Sequence, residues 1–496
     1  MENTIRRIKY KRIDREQLSW VDIDVDRLIG LDHKARLIWE AVSRLDVSQF
    51  EAAAQTFEEE GGRPAWPPEL LISVWLYAYT LGVPSARALE RMMSYEPGLR
   101  WLTGLEVINH HTLSSFRVAH GEALNHLFAQ QLALLEQEGL VDWSVLMQDG
   151  TKVQARASKW SYHRGAHIRE RVDVAREAIE VLDAAAQPAT GEAEQRVQAA
   201  QRRAATERLA RMEAALAALE ERAEQAPASR REEVRVSVTE PDARKMKQSD
   251  GGWRLSYNVQ TTTAAAAGKF VVGVAVTSSE TDVHELVPAL ERIEQPGRTV
   301  RQVVADGGYV SRENVEAVEG KGIALVAPWE EARAREAGAL KRAGIDPAYG
   351  GSQFQVLGDG DALECPQGKR LPFAGVRKHH GMKHRIFEAN AQDCAGCPVQ
   401  SACCGRRGGP RRIGRPIESP HMAQWIRRMQ TDADAHVLYR QRKAVAEWPH
   451  LWIKSLRGLR RFSVWGCHKA GLEMVWAVMA YNFEQLFRLR GPAITA

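Results

Sequence analysis

The chain has 496 residues, 44% hydrophobic and 26% charged, with 68 Lys and Arg against 63 Asp and Glu. That length exceeds one ordinary core and predicts roughly two to four domains. The six cysteines are too few for a disulfide scaffold, the opening MENTIRRIKYKRIDREQ lacks the apolar core of a signal peptide, and no apolar run could span a bilayer, so a cytosolic, reduced protein is expected. The slight basic excess is compatible with a nucleic-acid partner without demanding one.

Residues 15–139 read as all-helical. Trp66-Pro67-Pro68-Glu69 opens a helix through Leu70, Leu71, Val74, Trp75 and Tyr79, closed by Gly82. Pro84-Ser85 starts a second, with Leu89 and Met92 or Met93 inward. Thr112 is expected to cap a third, with Phe116, Leu124, Leu127, Phe128, Leu132 and Leu135 as its stripe and Gly139 as its end. A helix-turn-helix could lie among them, though spacing alone favours a plain helical bundle. A buried strand follows from Val141 to Gln148, expected to end at Asp149-Gly150-Thr151-Lys152. Residues 165–226 are rich in Ala, Glu, Arg and Gln; Leu209, Met212, Leu216 and Leu219 form a heptad seam, and Pro188-Ala189-Thr190-Gly191 breaks the run. Two antiparallel helices, a hairpin arm, are predicted.

Val234, Val236 and Val238 alternate as in a strand, and two more strands are expected near Leu255–Thr262 and Phe270–Thr277, then a helical segment from Asp282 to Ile293. Gln302-Val303-Val304-Ala305 reads as a strand buried on both faces, stopping at Asp306. Gly307 and Gly308 allow a sharp turn there, Ser311 can cap the next helix with Val315 and Val318 inward, and Ile323–Ala327 is a further strand. Residues 330–432 read as irregular, rich in Gly, Pro, Arg and Cys. From Ala433 the chain is helical again, and Leu472–Leu486 forms a final apolar helix.

Asp149 and Asp306 end two strands that could be neighbours in one mixed sheet, at the edge where α/β folds bind ligands. A carboxylate from a later helix would complete a hard-oxygen site suited to Mg²⁺ or Mn²⁺. Glu447 is the best candidate, and Lys454, seven residues on, would share its face if the helix continued past Pro449, which is expected to start or kink a turn. A lysine there could hold a DNA phosphate. Taken alone, each acid reads as a turn, cap or surface residue.

Together these stretches resemble a bacterial insertion-sequence transposase of the DDE class. The resemblance rests on Pro68-Glu69-Leu70-Leu71, Ser85-Ala86-Arg87-Ala88-Leu89-Glu90 and His111-Thr112-Leu113-Ser114-Ser115-Phe116-Arg117. It continues through Asp149-Gly150-Thr151, Asp242-Ala243-Arg244, Tyr257-Asn258-Val259-Gln260, Asp306-Gly307-Gly308-Tyr309, Tyr439 to Glu447 to Lys454, and Ala480-Tyr481-Asn482. It implies an α/β fold: a ribonuclease-H-like mixed sheet with helices, preceded by an all-helical N-terminal region and interrupted by a helical hairpin and a Cys/Arg-rich insertion. The expected divisions are 1–139 (helical, DNA-binding), 140–164 and 241–329 (core), 165–240 (arm), 330–432 (insertion) and 433–496 (helices completing the core).

The resemblance further implies Asp149, Asp306 and Glu447 as the metal-binding triad, with two Mg²⁺ or Mn²⁺ ions as cofactor. It implies Tyr439, Arg442 and Lys454 beside them and Arg117 among the DNA contacts. The expected activity is binding of terminal inverted repeats with cleavage and strand transfer of double-stranded DNA. A homodimer in the bacterial cytoplasm, at the nucleoid, is expected, with no membrane partner. The rival readings are a nuclease of the same fold that does not join strands, and an inactive DNA-binding descendant. Two departures stand out. Four residues separate Arg442 from Glu447 where three are usual, so the two need not share a helix face. The segment Trp448-Pro449-His450-Leu451-Trp452 also lacks the Pro-aromatic-Gly run expected there.

Two further signals remain. Cys365-Pro366, Cys394-x-x-Cys397 and Cys403-Cys404 could make a four-thiolate zinc site from Cys365, Cys394, Cys397 and Cys403; the alternative is a set of reduced thiols in a loop-rich insertion. Around them Lys369, Arg370, Arg377, Lys378, Lys383, Arg385, Arg406, Arg407, Arg411, Arg412 and Arg415 suit phosphate contact, with Arg406, Arg407, Arg411 and Arg412 as the favoured DNA-binding residues. Trp448 and Trp452 read as core rather than as base-stacking residues.

Overall fold

The computed structural model describes residues 22–51, 64–184, 191–328, 330–358, 360–379 and 382–491. The opening basic segment, the expected arm break at Pro188-Ala189-Thr190 and His380 lie outside them.

Pro68 sits at the first turn of the helix Pro68–Thr80, where its missing N–H costs nothing, and every residue from Leu70 to Thr80 is buried. Gly82 closes it at φ +71°, and a Cβ there would stand 2.7 Å from the Arg457 carbonyl oxygen. Ser85 caps Ala86–Met92 through the Ala88 N–H. The single helix expected from Thr112 is instead two, His110–Ala119, capped by Asn109, and Gly121–Gln137. They part at His120, whose φ −115° and ψ 53° leave the helical region just before Gly121.

A six-stranded sheet follows, in the order Arg244–Lys247, Trp253–Ala264, Val145–Gln154, Gln302–Val304, Ala324–Val326, with Val271–Thr277 also on Trp253–Ala264. Val145–Gln154 is the pivot: antiparallel to Trp253–Ala264 on one side, parallel to Gln302–Val304 on the other. It does not end at Asp149 as expected. Its antiparallel partner keeps the pairing going to Gln154↔Ser256, so Asp149 lies mid-strand.

The closing helix Cys467–Arg490, buried from Leu472 through Phe483, packs on both the Pro68–Thr80 helix and the sheet's Val271–Thr277 edge. Asn482 grips that edge with both ends of its amide, donating to the Val271 carbonyl and accepting from the Val271 N–H, each at 2.9 Å. The N-terminal helices, the sheet and this helix therefore share one hydrophobic core. Within it Arg117 faces Glu473 at 3.5 Å, with side chains 4% and 0% exposed.

The arm consists of helices Gly165–Ala184 and Glu192–Gln225, packed through Ile168, Val172, Met212, Ala215 and Leu219 onto Val236 and Val238. Those valines belong to Arg235–Ser237 and its flank, which pairs with Tyr162–Arg164 and stands outside the main sheet. Residues 330–432, expected to be irregular, hold a five-stranded antiparallel sheet with its own core of Phe354, Leu363, Leu371, Phe387, Ala389, Cys403 and Ile413. Its strands send few large apolar residues inward between basic ones, too sparse a pattern to read as alternation.

Candidate active site

Register explains why two distant aspartates meet. Met147 pairs directly with Val304 across the parallel strands. Asp149 and Asp306 each lie two residues further on, and side chains two apart share a face. On that face Met147, Val304 and Val326 cover Ala435, Val445 and Ala446 of the helix Ala433–Leu451. Asp432 starts this helix by accepting the N–H groups of Asp434 and Ala435, at 2.9 and 3.1 Å. Pro449 sits in its last turn without breaking it, and a π-turn, Trp452–Leu456, follows.

One cavity of about 640 Å³ is lined by Asp149, Asp306, Glu447, Arg442, His450 and Lys454, with Arg254 and Arg460 among the other lining residues. Arg442 and Glu447 meet despite their spacing: one guanidinium nitrogen lies 3.3 Å from Glu447 and the other 3.4 Å from Asp149. His450 faces Asp149 at 3.5 Å through Nδ1 and Thr261 Oγ1 at 2.8 Å through Nε2. Burial alone would push the Asp149 carboxyl up, but His450 and Arg442 outweigh it and hold it below its ordinary value. Asp306 goes the other way: burial and the neighbouring Asp149 charge push it up. Lys454 donates to Thr151 Oγ1 and to the Lys152 carbonyl, both at 2.9 Å, and burial lowers its pKa.

Behind the acids lies a polar layer that sequence reasoning missed. Gln260 accepts from Gln148 at 2.7 Å and from the buried Tyr309 hydroxyl at 2.5 Å, and Thr262 donates to Gln148 at 2.7 Å. Asp282 accepts from Asn258, Gln260 and Lys152 at 2.7, 2.8 and 3.1 Å. This layer accounts for Gly150: a Cβ there would stand 2.5 Å from Gln260 Nε2 and 2.7 Å from Asp282 Oδ1. Gly150→Ala is expected to cost about 1–3 kcal/mol by overpacking, measured by urea denaturation. An unchanged midpoint would mean the layer yields freely. Gly307 and Gly308 form a 3₁₀ turn without positive φ. What the turn needs is room: Asp306 Oδ1 accepts the Gly308 N–H at 2.8 Å, and a Cβ on Gly308 would lie 3.0 Å from that oxygen.

Residues 23–119 match the family model described as Transposase domain (DUF772), and residues 364–487 match the one described as Transposase DDE domain. The two matches support an insertion-sequence DDE transposase. No curated protein and no solved structure matches it. The second match takes in Glu447 and Lys454, while Asp149 and Asp306 lie between the two matched segments.

In this chain several expected contacts fall elsewhere. Arg117, expected to face DNA, is buried: it donates to the Pro84 carbonyl at 2.6 Å and to Tyr79 at 3.3 Å, and lies over Trp75. Arg411 donates to the Tyr349 carbonyl and Arg412 grips Glu388, at 2.9 and 2.7 Å, so much of the basic cluster is committed within the insertion. Arg406 is exposed; the side chains of Arg407 and His379 lie outside the described residues. Tyr439 is half-buried against the helix–sheet core. Trp452 is buried against Tyr481, and Trp448 packs on the core. Among the described residues no three His, Cys, Asp or Glu side chains are already arranged to hold a metal ion, and at the acids Arg442 takes the place between Asp149 and Glu447. No helix among the described residues is long and apolar enough to cross a membrane.

His450 and Asp282 are the residues that sequence reasoning missed. His450 follows Glu447 by three, one turn along the same face, so helical spacing carried that signal. Asp282 follows a strand but has no motif of its own.

Proposed function

We propose that the chain binds the terminal inverted repeats of an insertion sequence and cuts and joins double-stranded DNA at this cavity. What carries the reading is the convergence there of three carboxylates from a central strand, its parallel neighbour and a late helix, with Lys454, Arg254 and Arg460 around them. The sheet order, an antiparallel set beside a parallel pair with Asp149 on the pivot strand, supports a ribonuclease-H-like core.

The donor set fits divalent magnesium or manganese. It is all carboxylate oxygen, and burial together with the neighbouring Asp149 charge pushes the Asp306 carboxyl up, a strain that a cation would relieve. Asp149, Asp306 and Glu447 would hold the ions, which supply charge stabilisation for the attacking and leaving oxygens of phosphoryl transfer. The chain's own residues do the rest. His450 and Thr261 fix the Asp149 side of the site. Arg442 bridges two carboxylates and can release them to contact phosphate. Lys454, tied to the strand that carries Asp149, keeps a cation beside the scissile position. Joining two element ends calls for two copies, so a dimer is the working state.

The test uses the purified chain and a supercoiled plasmid carrying the ends that flank its locus, with Mg²⁺ or Mn²⁺, beside pre-cut ends. Excision and joining are expected. Cutting without joining of pre-cut ends would make it a nuclease, and binding unchanged in EDTA with no nicking would reduce it to a DNA-binding protein.

A further inference from the structure

The cysteines of residues 330–432 play no part in that chemistry, yet the fold gathers them. Cys365, Cys394, Cys397, Cys403 and Cys404 line one small cavity of about 30 Å³, closed by Leu371, Ala389, Val399 and Arg411. They arrive from two turns and a short helix. Cys365-Pro366-Gln367-Gly368-Lys369 folds back on itself: the Gly368 N–H donates to the Cys365 carbonyl at 2.8 Å, and the Lys369 N–H to the Cys365 sulfur at 3.3 Å. Gly368 supplies the required φ of +71°. Cys394 and Cys397 bracket a second turn, closed by the Cys397 N–H on the Cys394 carbonyl at 3.2 Å, and the Arg411 N–H donates to the Cys394 sulfur at 3.4 Å. Cys403 comes from the short helix Gln400–Cys404.

Backbone N–H groups thus point at the sulfurs of Cys365 and Cys394, and burial pushes the Cys403 thiol up, with the Arg411 charge opposing it. The five-stranded sheet here has a core of seven buried residues, one of them Cys403 itself. A core that small is commonly closed by a metal or by disulfides, and all these cysteines are free.

We propose that Cys365, Cys394, Cys397 and Cys403 bind one structural zinc ion as thiolates. Four thiols lose four protons, and the resulting net charge of minus two faces Arg411 and Lys369. No electron is transferred. The thiols do not yet form a closed ligand set, so the ion draws them inward by rotation about their Cα–Cβ bonds. Cys404, beside Cys394, stays outside the set.

The test is elemental analysis of the untagged full-length protein after gel filtration, with cobalt(II) replacement in chelator-treated protein. About one zinc per chain is expected, together with the visible absorption of a tetrahedral cobalt thiolate. Cys365→Ser and Cys397→Ser should lose the metal, and Cys404→Ser should keep it. If a serine variant does not fold, rebinding of zinc by the chelator-treated wild type, followed through the number of thiols reactive toward a disulfide reagent, decides: four should become protected and two stay reactive. Metal-free protein with all six thiols reactive in the presence of zinc would overturn the proposal. Loss of metal in Cys404→Ser with retention in Cys397→Ser would overturn the ligand assignment. DNA cleavage is not the readout, so this test and that of the strand-transfer reading fail independently.

Discussion

Asp306→Asn should lower DNA cleavage and joining by at least about 10³-fold, the scale expected when one member of a group that acts as a unit is removed, while end binding persists. The side chain keeps its shape and its acceptor for the Gly308 N–H but loses the charge that would hold the ion. The same variant should be more stable than wild type near neutral pH without added metal. The sign follows from the raised folded pKa. Folding favours the protonated acid, so its contribution is fully present below the ordinary carboxylate range and is lost as pH rises through the folded value. At neutral pH wild type therefore carries a buried charge beside Asp149, which asparagine removes. Urea denaturation at several pH values measures this: the two curves should converge in acid and separate toward neutrality. Full activity in Asp306→Asn, or a variant less stable at neutral pH, would remove Asp306 from the assigned role.

The second large effect involves residues outside the cavity's lining. Glu473→Ala should cost about 3–5 kcal/mol, because it strands a buried guanidinium. Glu473 faces Arg117 at 3.5 Å and accepts from Ser463 through both N–H and hydroxyl, at 2.8 and 2.5 Å. Arg117→Ala should lose a comparable amount for the mirrored reason, while the salt dependence of DNA binding by the folded protein stays unchanged. A true phosphate contact would lower that slope by about 1. Replacing both partners by apolar residues of similar volume should recover much of the loss. A drop in salt slope with stability intact would return Arg117 to the DNA surface.

The contrast between these residues shows what was legible in the sequence. Asp149 and Asp306 could be paired from hydrophobic runs that stop at acid-glycine, because strand parity and glycine are local signals. The register that sets them side by side is not local; it follows from Met147 meeting Val304. Arg117 was misassigned because a motif arginine reads alike whether it meets phosphate or a buried glutamate 356 residues away. Likewise Asn482 and Gly150 carried motif weight without a visible reason, and the reason proves to be a strand edge held by an amide and a polar layer pressed against a backbone. The sheet of residues 330–432 stayed hidden because its core is small and its strands mix charged and apolar residues without clean alternation.

The Arg117–Glu473 pair also bears on how the protein is made. A nascent chain halted after the Glu447 helix would hold all three acids of the cavity, yet the first helices would still keep an uncompensated cation and an apolar face meant for Cys467–Arg490. The frame around the cavity therefore depends on a helix that the chain reaches only after all three acids, and a fragment ended before Cys467 lacks the face that completes this core.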